Sequence, residues 1–139
     1  MTLIEIVDKL LEIAQKMPNI GYVGEGDIYE LNNIPNIEYS VFFITQDTHR
    51  VYENKVEYTL NLFFVDRIIE GTPNRIFVQT NGISTITNIV NKLVAEEDVD
   101  VLYPLNFTPF NQRFADDCSG VWARITFVVD NSLGICVYQ

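Results

Sequence analysis

Little in the chain announces chemistry. It holds two cysteines, Cys118 and Cys136, and a single histidine, His49. Two thiols are too few for a disulfide scaffold, no CxxC pair occurs, and one imidazole cannot build a His-rich metal site. Both cysteines lie in or beside apolar segments, which predicts buried free thiols. No apolar run approaches the roughly 20 residues of a membrane span. Glu5 and Asp8 interrupt the first apolar stretch and no basic segment precedes it, so a secretion leader is not expected and a cytosolic origin is. Positive charge is also scarce: nine Lys and Arg are scattered among nineteen acids, for a net charge of −10. Such a surface repels phosphate backbones and excludes sequence-specific nucleic-acid binding. The nucleophile elbow G-x-S-x-G is absent. Gly21, Gly24 and Gly26 are spaced G-x-x-G-x-G, which is not the dinucleotide fingerprint.

What is present is a core. A chain of 139 residues, 47% apolar, suits one domain spanning residues 1–139. At that length folding buries roughly two-thirds of the unfolded surface, enough for one core without staples. Thr2 and Glu5 form a capping-box pattern ahead of Leu3, Ile6, Leu10, Ile13 and Met17 at helical spacing, and Pro18 closes the segment. The spacing predicts a helix over 3–17, with Ile4 and Leu11 widening its apolar stripe. Residues 18–36 are rich in Gly, Asn and Pro, with a short strand expected over 27–31.

Two alternating segments follow, one on Ile37, Tyr39, Val41 and Phe43, the other on Val56, Tyr58, Leu60, Leu62 and Phe64. The polar link 46–50 reads as a hairpin tip carrying His49. Both strands become doubly apolar at one end, Phe42-Phe43-Ile44 and Phe63-Phe64-Val65, which predicts cover on both faces there. Ile76, Ile83, Ile86, Val90 and Leu93 predict a second helix over 75–96 despite the poor helix propensity of its Thr, Ile and Asn, with Gly82 a local weakness. Residues 99–110 read as an edge strand, because Pro104 and Pro109 cannot donate to a ladder. Residues 110–118 read as a loop, 121–129 as a buried strand with alternating faces, and 133–138 as a last strand. The order predicts an α+β fold: a mainly antiparallel sheet with two helices packed on one face.

Candidate chemistry is thin. "FADDCSGVWARITFVV" (114–129) gathers Asp116, Asp117, Cys118 and Ser119 before an apolar run. Adjacent strand residues point to opposite faces, so Asp116 and Asp117 do not suit paired-carboxylate catalysis. Cys118 as a nucleophile needs a base, and His49 lies far along the chain. Glu96, Glu97, Asp98 and Asp100 lack the alternation and glycine of a calcium loop and read as a solvated helix end. Asp66-Arg67 closes a long strand and suits an ion pair, within the subunit or across an interface. Nine Phe, seven Tyr and one Trp are generous for this length. Tyr103, Phe107, Phe110 and Phe114 suit either a core lid or the anchors of a protein–protein interface. No catalytic residue, cofactor or metal is expected.

The stretches "LIEIVDKLLEIAQKM", "LNLFFVDRI", "GISTITNIVNKLV" and "RFADDCSGVWARITFVV" together cover most of the chain. In their order and character the chain resembles the tail-terminator and tail-completion (neck) proteins of tailed bacteriophages, small α+β proteins with this succession of elements. The resemblance implies a virion structural protein, assembled in the host cytoplasm, that closes into a homo-oligomeric ring, commonly a hexamer. Its implied partners are copies of itself and tail-tube or connector proteins. DNA would pass through an acidic lumen without sticking. Asp66, Arg67, Tyr103, Phe107, Phe110, Phe114, Asp116 and Asp117 would then be interface or lumen residues. Two other readings of the residues stand beside it: a small-molecule-binding α+β module with an aromatic-lined pocket, and a hydrolase using Cys118 with His49.

Overall fold

The computed structural model describes residues 1–27, 30, 38–67, 74–113 and 117–131, with 112, 113 and 117 as main chain only. Helix α1 spans Leu3–Gln15. Its capping box is complete: the Thr2 hydroxyl accepts from the Glu5 amide at 3.4 Å, and the Glu5 carboxylate accepts from the Thr2 amide at 3.2 Å. Ile6, Leu10, Ile13 and Ala14 are its buried stripe. Helix α2 spans Arg75–Glu96, with no side-chain cap from Asn74.

Six strands form one sheet: β1 (Tyr22–Glu25), β2 (Val41–Val51), β3 (Lys55–Arg67), β4 (Asp100–Val101), β5 (Phe107–Arg113) and β6 (Asp117–Asp130). The order is β1-β2-β3-β6-β4, with β5 also on β6. Among the described residues, only the short β1 pairs in parallel, and the other pairings are antiparallel. Both helices cover the same face. The core between them and the sheet takes Phe42 and Ile44 from β2, alternate residues Val56 to Phe64 from β3, and alternate residues Val121 to Val129 from β6. Each Val, Leu, Ile or Phe among them contributes roughly 1.5–3 kcal/mol when fully buried. This is the α+β arrangement expected.

Several local expectations are corrected. Residues 46–50 are strand, not a hairpin tip; β2 continues to Val51 and the turn falls at residues 52–54, closed by Tyr52 N–H donating to Lys55 O at 2.7 Å. The polar composition of that stretch is accommodated by a β-bulge. Gln46 opposes Leu60 and His49 opposes Tyr58, so one extra residue lies in β2, and the Asp47 carboxylate accepts the Thr48 amide there at 2.7 Å. The bulge turns His49 onto the same face as Tyr58. Residues 110–118 are not a loop throughout: Phe110–Arg113 end β5 and Asp117–Cys118 begin β6. The expected edge strand over 99–110 is split into β4 and β5, both on the outer edge of β6, where Pro109 is tolerated. The strand near the glycines is Tyr22–Glu25 rather than 27–31; Asp27 is outside any strand, and 28, 29 and 31 lie outside the described residues. The strand expected over 133–138, with Cys136, also lies outside them.

The helix over 75–96 has the expected bounds but a different face. Ile86, Val90 and Leu93 are buried, whereas Ile76 and Ile83 point outward. Gly82, whatever it costs in helix propensity, is the crossing point: a β-carbon there would stand 2.6 Å from Val121 Cγ2 and 3.0 Å from Phe64 Cδ1. Among the described residues, no helix is long and apolar enough to cross a membrane.

Candidate interaction surfaces

The side of the sheet away from the helices has two regions. At the Arg67 end, Val41, Phe43, Val65 and Cys118 form a second buried cluster, rimmed by Tyr22, Tyr39, Phe63 and Phe110. The doubly apolar ends of β2 and β3 are therefore buried on both faces, as their sequence requires. Cys118 is fully buried, its Sγ donating to Tyr39 Oη at 3.5 Å. Asp66 and Arg67 border this cluster. Asp66 accepts the Ser40 hydroxyl at 2.8 Å and the Arg67 amide at 2.8 Å. The Arg67 guanidinium lies 5.4 Å over the Tyr39 ring. The pair is anchored within the chain through main chain, hydroxyl and ring.

Phe63 stacks with Trp122 at 6.0 Å and meets Phe110 edge-on at 6.2 Å. Beyond them the same face is polar. Asn61 donates to Thr45 at 3.2 Å, Thr59 and Thr126 share a hydrogen bond of 2.9 Å, and Arg124 reaches Asp47 at 3.2 Å. The Thr48 amide first, and then Arg124, hold the Asp47 carboxyl below the usual range. An open cleft of about 430 Å³ is lined by Glu25, Gly26, Asp27, Thr45, Gln46 and Phe63. It has one aromatic, so the abundant aromatics do not wall it; Phe42, Phe43, Phe64 and Phe127 are packed inside the protein instead.

His49 and Cys118 do not meet. His49 opposes Tyr58 in β2, while Cys118 opposes Arg67 at the other end of β3. Nine residues of strand separate those positions, about 30 Å at the usual rise. They also face opposite sides of the sheet. His49 instead packs edge-on against Tyr58 at 5.7 Å and bonds Gln46 through Nε2 at 3.1 Å. Burial pushes the Tyr58 hydroxyl above its ordinary pKa. The Cys118–His49 hydrolase reading has no geometric basis.

The acidic cluster after α2 is tied to α1. Lys9 Nζ lies 3.4 Å from Glu96 and 3.9 Å from Glu97, and the Glu96 hydrogen bond raises the lysine pKa. The sequence reading as a solvated helix end missed this link between helices. Among the described residues, no three His, Cys, Asp or Glu are grouped to hold a metal.

The outer surface of α2 is the least expected feature. Ile76 is 80% exposed, Phe77 68% and Ile83 42%. From Ile76 to Asn91 the helix carries no charged residue at all. Thr80 and Thr87 donate their hydroxyls to the carbonyls of Ile76 and Ile83, each at 2.7 Å, which turns the polar end of each onto its own helix. Tyr103, also exposed, continues this side, its hydroxyl donating to Asn91 at 3.4 Å. Of the other aromatics in question, Phe107 packs partly buried against the main core and Phe110 against the second cluster. Asp117 opens β6 opposite Arg113, while Phe114 and Asp116 lie outside the described residues. Apolar periodicity placed Ile76 and Ile83 in the core; the charge-free run from Ile76 to Asn91 points the same way, and only the structure shows the two side chains outside.

No protein-family model matches the chain, and no curated protein matches it.

Proposed function

We propose that this protein is a structural subunit of a tailed-phage virion, of the tail-terminator, tail-completion or neck type. It assembles in the host cytoplasm into a homo-oligomeric ring at the end of a tail or connector. The observation that carries the reading is the outward face of α2. A helix covering the surface of a free-standing domain normally presents charges to water. This one presents Ile76, Phe77 and Ile83 without a charge among sixteen residues, in a chain of net charge −10. Charge depletion with exposed apolar and aromatic side chains is the composition of an interface core. The α+β order and the long β2–β3 hairpin agree with the resemblance of the sequence to this class. An acidic subunit also suits a ring through which DNA slides without adsorbing, since every phosphate meets like charge.

The test is mass photometry of the purified chain across concentrations, followed by negative-stain imaging. Closed rings, or a monomer that assembles on tail-tube or connector protein, support the reading. A monomer at every concentration that ignores both partners refutes it.

A further inference from the structure

The molecule is electrically and chemically polar along the sheet. Helix α2 starts beside the Arg67 end, where Asn74 donates to Arg67 O at 3.2 Å and Gln79 to Ser119 at 3.3 Å. It ends beside the hairpin turn, because Asp100, just past α2, pairs with Val128, and Val128 pairs with Glu57 of β3. The thirteen residues of β3 separate the two ends by about 40 Å. The start of α2 shows Ile76 and Phe77 exposed. Its first turn has no acid, and Arg75 has no ionic partner among the described residues. The helix dipole adds positive potential there. The hairpin end shows Val51 74% and Tyr52 39% exposed, with Ile4 exposed at the same end. It is acidic: Glu53 and Asp130 flank the turn and the four acids around Asp98 follow α2, where the dipole is negative. Its cations are Lys55, 3.3 Å from Glu57 and over the Tyr52 ring, Lys9 on Glu96, Arg50 beside Tyr52 and Glu57, and Lys92 near the end of α2, fewer than its acids.

We infer that successive copies join head to tail, the Ile76–Phe77 turn of one seating on the Val51–Tyr52 end of the next. The inference rests on the ring reading above and names its contact. Charge decides the pairing. Two α2 starts brought together oppose Arg75 to Arg75 and two positive helix ends; two hairpin ends oppose acid to acid. The unlike pair sets Arg75 and the positive start of α2 against the acids of the hairpin end, while Asp66 at the first end is engaged by Ser40 and the Arg67 amide. Two different patches on one subunit form a heterologous contact, which closes into a ring when the rotation permits.

The test uses two doubly substituted full chains, Ile76→Ser with Phe77→Ser, and Val51→Ser with Tyr52→Ser. All four positions are exposed in the subunit, so both variants keep the wild-type melting temperature and circular dichroism. Each alone should be monomeric, with association weakened at least about thirtyfold, the scale of a lost hot spot. Their equimolar mixture should give a species of two chains and nothing larger, because each variant keeps the patch the other lacks. If wild type forms rings and either variant does too, the contact is elsewhere and the ring reading survives. A mixture that stays monomeric, or one variant that assembles alone, likewise overturns the head-to-tail contact. Wild type that is monomeric throughout and binds no tail protein overturns both.

Discussion

Val121 fills the space that a side chain on Gly82 would need: its Cγ2 stands 2.6 Å from the position of a β-carbon there. The helix and β6 approach this closely because residue 82 has no side chain. Gly82→Ala adds helix propensity of about 1 kcal/mol. It also overpacks a β-branched residue held in a central strand, a loss of about 1–3 kcal/mol. The expected outcome is net destabilisation, read as a lower urea midpoint with unchanged slope. A raised midpoint means that α2 lifts off the sheet without cost. Gly120→Ala should be worse, since its new carbon meets the main-chain carbonyl of Phe64, which cannot rotate away.

Thr2→Ala removes the hydroxyl that closes the α1 capping box. Loss of such a cap costs about 1 kcal/mol. Chemical denaturation should show that decrease, and Thr2→Ser should restore most of it. Equal stability of the alanine variant would mean that Lys9 and the core, not the cap, hold the first turn.

Asp47 gives a pH dependence of definite sign. Its carboxyl is depressed in the folded state, chiefly by the Thr48 amide and then by Arg124. A carboxyl depressed by folding contributes stability that is complete above its unfolded pKa and is lost as pH falls through the lower folded value. Its NMR titration midpoint should lie below the usual aspartate value of about 3.9. Arg124→Gln should move the midpoint only part of the way back, because the amide remains. A full return to the ordinary value would assign the effect to the guanidinium instead.

Cys118 should resist iodoacetamide in the native protein and react once denaturant is added. Mass spectrometry of its peptide distinguishes it from Cys136. The basis is complete burial beside Tyr39. Native labelling at the rate of a free thiol would contradict that position.

The parts of this fold legible in the sequence are those with one dominant signal. The Thr2–Glu5 pair and the 3.6-residue stripe defined α1. Val121 to Val129 alternated without a break, and they lie in β6, the strand that β3, β4 and β5 join. The prolines placed this region at an edge, and Pro109 does lie in the edge strand β5, but Pro104 falls in the break between β4 and β5. What escaped has a physical reason in each case. The stretch from Gln46 to Arg50 looks like a turn because its side chains are polar, yet its main chain pairs with a strongly apolar partner, and the bulge absorbs the mismatch. Tyr22–Glu25 is too short and glycine-rich to alternate visibly, and takes its structure from β2 beside it. Ile76 and Ile83 fit an apolar period but fall on the wrong side of it, since Gly82 selects the face that can approach the sheet. Of the surface residues expected, Asp66, Arg67 and Phe110 gather at one end, Tyr103 lies on the α2 side, and Phe107 belongs to the core.

The place of β6 sets an order on biogenesis. It is an interior strand, bonded to β3 along thirteen residue pairs and to both β4 and β5, yet it is made after all of them. A nascent polypeptide halted before residue 117 therefore exposes a long unsatisfied rim on β3 and the apolar side chains that Val121 to Val129 would pack against. On the ribosome, copies that met at that stage would pair through the wrong rim. Emergence of this one segment seals that rim and closes the interior over it.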